Sequence, residues 1–513
     1  MISARGLRRA TCGKAARRLV LLAVLSGFCG LSPAPVAAQA PQAPHTDAPA
    51  STAFPEVPRT REPELSAGAF MRFVGGSELV RPPYPEAWDP APLRYPYATA
   101  ETLFLPPAPP PAAGPHAAPR IGLFAPPGSV GRTVRVLLHP QSRTILVHTR
   151  GGADFQWRGR DGTPRRSASH AGPVRIERKD GRFSVVPTGR AAISGGDAMA
   201  LRIAPLDPSV PLEVNGKAYR GTVEFHAEGP GFLTINVLPL EEYLRGVVPL
   251  EMGRHDETRL EALKAQAVAA RTYAVKRALA RTGEPFDLHS SVQDQVYGGA
   301  GAEHPMSDRS IRETAGLLLL YTDSLAHTYY HSTCGGKTAS RHEMWGGERI
   351  PYLVSSPDTD ETGQAWCRAS RYMDWTQTWS VDALSAIAKR NMASAGVRSA
   401  PPFRTITGFD VRGRYEDGRI RQLDLKTDRG IIPLRGDKTR WALKPAPGTG
   451  RILESARFDI EINAGRVTAR GNGFGHGIGM CQMGALGRAA AGQSYAQILQ
   501  AYYPGTELAR LAP

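Results

Sequence analysis

The chain has 513 residues, 41% of them hydrophobic and 21% charged, with 63 Lys and Arg against 47 Asp and Glu and a formal net charge of +16. That length buries a sizeable core and points to more than one domain, or to one domain with long extensions. The positive charge is spread along the chain rather than gathered into Lys/Arg blocks interleaved with aromatics, which argues against a nucleic-acid partner and leaves an anionic lipid or wall polymer as the acidic surface to meet.

Arg5, Arg8, Arg9, Lys14, Arg17 and Arg18 precede the apolar run LVLLAVLSGF, and Ala38-Gln39-Ala40 supplies the small residues of a cleavage site. Residues 1–40 therefore read as a secretory signal peptide, with an apolar run too short to span a bilayer comfortably as a permanent helix. Cys29 follows Phe28, where a lipidation signal wants a small residue. The expected localisation is exported, in the periplasm, cell wall or extracellular space, with no stable membrane insertion after cleavage. Cleavage would leave a net charge of about +10 and remove Cys12 and Cys29. Cys334, Cys367 and Cys481 then remain, an odd count in an oxidising compartment, and one disulfide plus one free or buried thiol is the simplest solution.

Residues 41–120, rich in Ala and Pro, read as an extended linker. Over 121–235 short β-like runs follow, among them TVRVLL, TILVHT and GPVRIERKDGRFSVVP, and Asn215-Gly216 marks a two-residue hairpin turn. This part is a β-rich scaffold whose His139, His148, His170 and His226 lack ligand-like spacing. After the strand FLTINV, Pro239 suits a first helical turn, LEEYLR continues it and Gly246 stops it. Val247 and Val248 are expected to resume an extended segment that delivers Glu251 just before a turn.

A long helix should run from Asp256 or Glu257 to about Arg281. Leu260, Leu263, Ala267, Ala270, Ala274 and Ala278 form one stripe, and Lys264 and Arg271, about 20° apart on the wheel, fall on its edge. Cations on the inward side need a counter-charge, water or a polar cleft. Either they snorkel around a core of small alanines, or they line a pocket beside Glu251.

Residues 284–300 read as a loop, and a second helix should cover roughly Asp308–Thr314. His327, His331 and His342 lie near Cys334 without the paired spacing of a zinc knuckle or finger. A Cys334–Cys367 disulfide is the expected pairing, and Trp366, Trp375 and Trp379 serve either sugar stacking or packing. Residues 380–400 read as helical, and 404–425 as a hairpin around Asp417-Gly418. In GNGFGHGIGMCQMGALG a glycine recurs at every second position from Gly471 to Gly479 around His476, without the spacing of a dinucleotide or phosphate loop. Ser494 and Gln497 form a capping-box signature for YAQILQAY.

Taken together, LPLEEYLRGVVPLEM, LEALKAQAVAARTYA, FDLHSSVQDQVYGG, YYHSTCGGKTAS with MWGG and PYL, and GNGFGHGIGMCQMGALGRAAAGQSYAQILQAYYPGT resemble the SpoIID/LytB family of exported cell-wall proteins over residues 210–356 and 401–510. The resemblance implies an α+β fold, a β-rich scaffold carrying a long active-site helix. A SpoIID-like core would occupy 236–356, and a C-terminal part over 357–513 would complete it. It also implies that Glu251 stands at the family's catalytic glutamate and that Lys264 and Arg271 stand at basic residues of its groove. Gln266, Tyr273, Tyr330, Ser332, Thr333 and His476 are further candidates for substrate contact. Sporulation members hold zinc through a His/Cys set in the loop that reads FDLHSSVQDQVY here, with His289, Gln293 and Asp294 at the ligand positions. No metal and no cofactor is expected.

The activity so implied is that of a peptidoglycan lytic transglycosylase, cleaving the bond between N-acetylmuramic acid and N-acetylglucosamine in glycan strands to give 1,6-anhydro ends. A single glutamate suffices when the sugar's own C6 hydroxyl is the nucleophile. Cations beside that glutamate would lower its pKa, whereas a general acid needs it raised. The alternative is a non-catalytic wall-binding protein that recruits or enhances a cell-wall amidase. A peptidase lacks HExxH and a nucleophile–His–Asp set.

Overall fold

The computed structural model describes residues 133–445 and 451–511. The signal peptide expected over 1–40 and the linker over 41–120 lie outside the described residues. The architecture is mixed α and β, β-rich, with several separate sheets.

Alternating apolar positions build the largest sheet. Ten of its eleven strands are β1 (Thr133–Ser142), β2 (Thr144–Arg158), β3 (Pro164–Lys179), β4 (Arg182–Pro187), β5 (Ile193–Ser194), β6 (Ala200–Pro205), β7 (Leu212–Val214), β8 (Lys217–Tyr219), β9 (Thr222–Glu228) and β10 (Gly231–Pro239). Phe183 and Val185 in β4, and Ile145, Val147, Phe155 and Trp157 in β2, point to one apolar interior. β7 and β8 close on the expected turn: Asn215 and Gly216 have φ of 47° and 80°, the left-handed pair that such a hairpin requires. β10 lies between β1 and β9, and its Phe232–Asn236 run is buried throughout.

β10 delivers the chain into three helices, α1 (Leu240–Arg245), α2 (Val248–Met252) and α3 (Leu260–Ala280). Glu251 is thus on a helical turn, not on the extended segment expected. Pro249 in the first turn of α2 favours helix, because its missing N–H has no partner to lose there. α3 is buried nearly all round, including Thr272, which lies opposite the Leu260–Ala278 stripe. Helix, strand and loop surround it, so a wheel with one wet face does not describe it. The loop after α3 contributes β11 (Leu288–His289), parallel to β1.

α4 (Pro305–Glu313) and β12 (Leu317–Tyr321) pack on α3, followed by β13 (Ser324–Leu325), β14 (Tyr330–His331) and α5 (Arg341–Trp345). A second hydrophobic core then forms around Trp375, Trp379, Leu384, Leu423 and Val467. It comprises β15 (Trp375–Ser380), α6 (Val381–Asn391), β16 (Ile406–Val411), β17 (Gln422–Thr427), β18 (Gly430–Arg435), α7 (Lys438–Ala442), β19 (Phe458–Asn463) and β20 (Arg466–Gly471). The chain next returns to the first core through β21 (Met480–Cys481), α8 (Gln482–Ala490), α9 (Tyr495–Tyr502) and β22 (Glu507–Arg510), the last pairing with β12. The span 357–513, expected as one C-terminal part, is therefore two things, a second core and a returning tail. Residues from 134 to 511 share the first core, so no boundary separates the β-rich part over 121–235 from the helices that come after it.

Candidate active site around Glu251

α2 places Glu251 at the meeting point of three segments. Its Oε1 accepts the Val296 N–H at 3.0 Å, from the loop after α3, and Gln482 Nε2 at the start of α8 lies 3.4 Å from Oε2. The residue keeps partial exposure beside Leu250, which is 47% exposed, while Met252 is buried. Burial raises the Glu251 pKa above the ordinary carboxylate value, opposed by the hydrogen bonds from Val296 and Gln482. No cation among the described residues enters that balance.

A hydrogen-bonded row starts at the residue before Val296. Gln295 Nε2 donates to the Tyr330 hydroxyl at 2.9 Å and to the Ala270 carbonyl at 3.3 Å, and the Tyr243 hydroxyl donates to Gln295 Oε1 at 3.1 Å. Burial and then the Glu251 charge push the Tyr330 pKa well up, so its hydroxyl stays protonated. β14 pairs in parallel with β21, which brings Tyr330 beside the glycine-rich segment. There His476 Nδ1 accepts the Ile478 N–H at 3.0 Å, and burial lowers its pKa to about 4, so the ring is neutral at physiological pH. Trp345, 43% exposed, packs against His476 at 4.9 Å and Tyr329 at 5.0 Å.

Gly477 shows why that segment is glycine-rich. Its φ is +85°, and a Cβ there would fall within the guanidinium of Arg419, which is wholly buried and ion-paired with Asp417. The second core thus plugs in directly beneath the segment carrying His476.

Both cations expected in the groove are committed elsewhere. The Arg271 side chain has no exposed surface. It donates to Glu241 Oε1 and Oε2 at 2.8 and 2.7 Å and to the Leu317 carbonyl at 3.2 Å, clamping α1 to α3 and β12. Lys264 lies 2.8 Å from both Glu261 and Glu313 and over the Tyr495 ring. Their inward placement on the wheel is answered by counter-charges, not by a cleft, and neither adjusts Glu251.

Gln266 is fully buried, with no hydrogen-bond partner for its amide among the described residues. Thr333 is also fully buried, tied to Ser370 Oγ at 2.7 Å and to the Phe474 backbone, so it joins two segments. Ser332 keeps partial exposure, 3.3 Å from Thr333 Oγ1. The Tyr273 hydroxyl donates to Asp294 Oδ1 at 3.1 Å.

Cys334 and Cys367 are not joined; their sulfurs stand 3.6 Å apart and both are free thiols, as is Cys481. Trp375 and Trp379 are buried in the second core, and Trp366 lies under Arg488. Among the described residues the exposed tryptophans are Trp345 and, at 36%, Trp441 in α7. A cavity of about 690 Å³ on the large sheet, lined by Leu146, His148, Arg175 and Glu213 among others, contains none of these residues.

A family model described as stage II sporulation protein matches residues 228–321, and a second, a domain of unknown function, matches 360–479. The chain is 30% identical over 293 residues to stage II sporulation protein D of Bacillus amyloliquefaciens, covering 54% of this chain and 75% of that one. The chain belongs to the stage II sporulation protein D family. It is also 30% identical over 339 residues to the amidase enhancer of Bacillus subtilis, covering 60% of this chain but only 47% of that protein. An uncharacterised protein of Brachyspira hyodysenteriae matches at 30% over 298 residues, 58% of this chain and 73% of that one.

As a SpoIID-family member the chain departs from the zinc-binding loop pattern, and Asp294 takes up the bracing. Its carboxylate is fully buried and accepts from Tyr273, from Arg277 Nε at 2.9 Å, from Arg281 Nη1 at 2.8 Å and from the His289 N–H at 2.9 Å. His289 and Asp294 are therefore bonded to each other. The next residues along, Gln295 and Val296, are the ones that hold Tyr330 and Glu251. Sequence reasoning missed Gln295, Gln482 and Trp345, although all three lie inside the family-like blocks; only the fold turns Gln295 towards Tyr330 and Gln482 towards Glu251.

Proposed function

We propose that this SpoIID-family chain is an exported lytic transglycosylase of peptidoglycan glycan strands, with Glu251 as the acid and base. The observation that carries the reading is the state of Glu251: partly exposed, held from two sides, and with a pKa raised by burial and lowered by no cation. Such a carboxyl keeps its proton to higher pH than a free glutamate, as a general acid requires. Glu251 donates that proton to the glycosidic oxygen as the bond from the muramic acid anomeric carbon breaks. The resulting carboxylate then takes the proton of the same sugar's C6 hydroxyl as that oxygen bonds to the anomeric carbon, closing the 1,6-anhydro ring and restoring the acid. The exposed face of Trp345, packed on His476, supplies a stacking surface for a sugar ring, and Tyr330, Ser332 and His476 supply polar contacts.

Purified glycan strands, with and without stem peptides, digested by wild type and by Glu251→Gln and read by mass spectrometry, test the proposal. Anhydro-ended products that vanish in the variant support it; intact strands with wild type overturn it.

A second reading is favoured by the relative named amidase enhancer. Here the same surface holds glycan and presents it to an amidase without cutting. Under that reading wild type and Glu251→Gln stimulate amidase release of stem peptides equally and leave the glycan chain length unchanged.

A further inference from the structure

Three cysteines spread along the sequence converge at one buried point. Cys334 follows β14, Cys367 lies in the segment before β15, and Cys481 ends β21 at the start of α8. Asp358 joins them. One ligand-capable atom from each of the four lies within 4.8 Å of all the others. The cysteines have no exposed surface, and Asp358 is 1% exposed.

The spacing is close to that of a coordination shell. Cys334 Sγ is 3.6 Å from Cys367 Sγ and 3.1 Å from Asp358 Oδ2. Two thiolates at about 2.3 Å from a tetrahedral zinc stand about 3.8 Å apart, and a thiolate and a carboxylate oxygen about 3.5 Å.

The groups around the sulfurs suit charged sulfur. The Gly336 N–H donates to Cys334 Sγ, and the Cys334 and Gly484 N–H groups donate to Cys481 Sγ, each at 3.2 Å. A neutral thiol is a weak acceptor, so three backbone donors directed at two sulfurs match thiolates offset by a cation. Asp358 is held from behind: Oδ1 accepts from Arg488 Nε and Nη2 at 3.2 and 3.0 Å, the Tyr502 hydroxyl lies 3.0 Å from both carboxylate oxygens, and Oδ2 is the oxygen that meets Cys334 Sγ, at 3.1 Å. The odd cysteine count is also accounted for. Pairing any two as a disulfide strands the third, whereas one ion uses all three.

We propose that Cys334, Cys367, Cys481 and Asp358 bind one thiophilic divalent ion, zinc, in a closed four-coordinate site. Four protein ligands leave no open position, so the ion braces and does not react. It ties the loop after β14, the 358–367 segment and the start of α8 together, one residue before Gln482. The site uses none of the residues of the 287–297 loop, and it stands whether or not Glu251 acts as an acid. It replaces the expectation of no metal and of a Cys334–Cys367 bridge.

Metal analysis of the purified full-length chain after dialysis is expected to return about one zinc per chain. Exchange for cobalt should give thiolate-to-cobalt charge-transfer absorption with the strong visible bands of tetrahedral cobalt. Cys481→Ala should weaken metal binding by at least about tenfold. Because that variant can fail to fold, the wild type is also alkylated in its native state, with peptide mapping of Cys334, Cys367 and Cys481. Protection that disappears on adding a chelator supports the site. The proposal is overturned if the three thiols react equally with and without zinc, or if the reduced chain supplied with zinc in air forms a Cys334–Cys367 disulfide. Zinc retained undiminished by folded Cys481→Ala would overturn it as well.

Discussion

Glu251 lets its own environment be tested at the level of one proton. Its folded pKa is raised, so below the unfolded value both states hold the proton and the residue costs nothing. As pH rises through the raised folded value the unfolded chain has already released its proton, and the folded state pays for keeping a buried carboxyl. Glu251→Gln should therefore be more stable than wild type at neutral pH, with the gain gone below the ordinary carboxylate range, as read by urea midpoints at the two pH values. Strand cleavage in the same variant should fall by about a hundred- to ten-thousand-fold. Arg271 makes the opposite case. Arg271→Met should lower stability by about 2–3 kcal/mol, at the low end for a broken buried pair because Glu241 is itself 37% exposed. Glycan sedimentation with the folded variant should be unchanged; a loss of binding there would put Arg271 back in the groove. Trp345→Ala should weaken glycan binding by roughly tenfold, on the order of 1 kcal/mol for a lost ring contact, with little change in unfolding midpoint.

At the scale of elements, the pinning of the loop between α3 and α4 decides the site. Asp294 accepts from Tyr273 and Arg277 on α3 and from Arg281 just past its end, and the two residues after it hold Tyr330 and Glu251. Asp294→Asn keeps the size but removes the charge between Arg277 and Arg281. It should cost about 2–3 kcal/mol and speed hydrogen exchange over 287–297. As a positioning residue it should also shift the pH at which cleavage declines; an unchanged pH profile would confine it to stability. The regular elements were legible where local chemistry decides them. The 215–216 turn, the capping box at Ser494 and the stop at Gly246 depend on neighbours in sequence, and the structure has all three. The helical turn carrying Glu251 read as extended because two valines outweighed one proline. The inward cations read as a cleft because a wheel shows direction and not the acids waiting on α1 and α4. Gln295 and Gln482 had no local signature at all, since their partner is set by tertiary packing.

For the whole molecule, the second core is the feature that composition did not announce, because its strands are short and its tryptophans read equally well as sugar platforms. Leu384 is fully buried there. Leu384→Ala should cost about 2–4 kcal/mol. The amides of β16–β18 should lose protection in native-state hydrogen exchange, while those of β9 and β10 keep it. Equal loss in both would mean that the two cores unfold as one. One consequence concerns the order in which such a chain is made. Gln482 lies 231 positions beyond the carboxylate it touches, and β14 waits for β21 across a long span of its own. Contacts so distant along the chain close late. A nascent chain that has passed Glu251 but not yet reached α8 carries the acid without the partner that fixes it. The tail therefore completes the surroundings of Glu251: the contact from Gln482 forms only after α8 has been made and has packed against the earlier half of the chain.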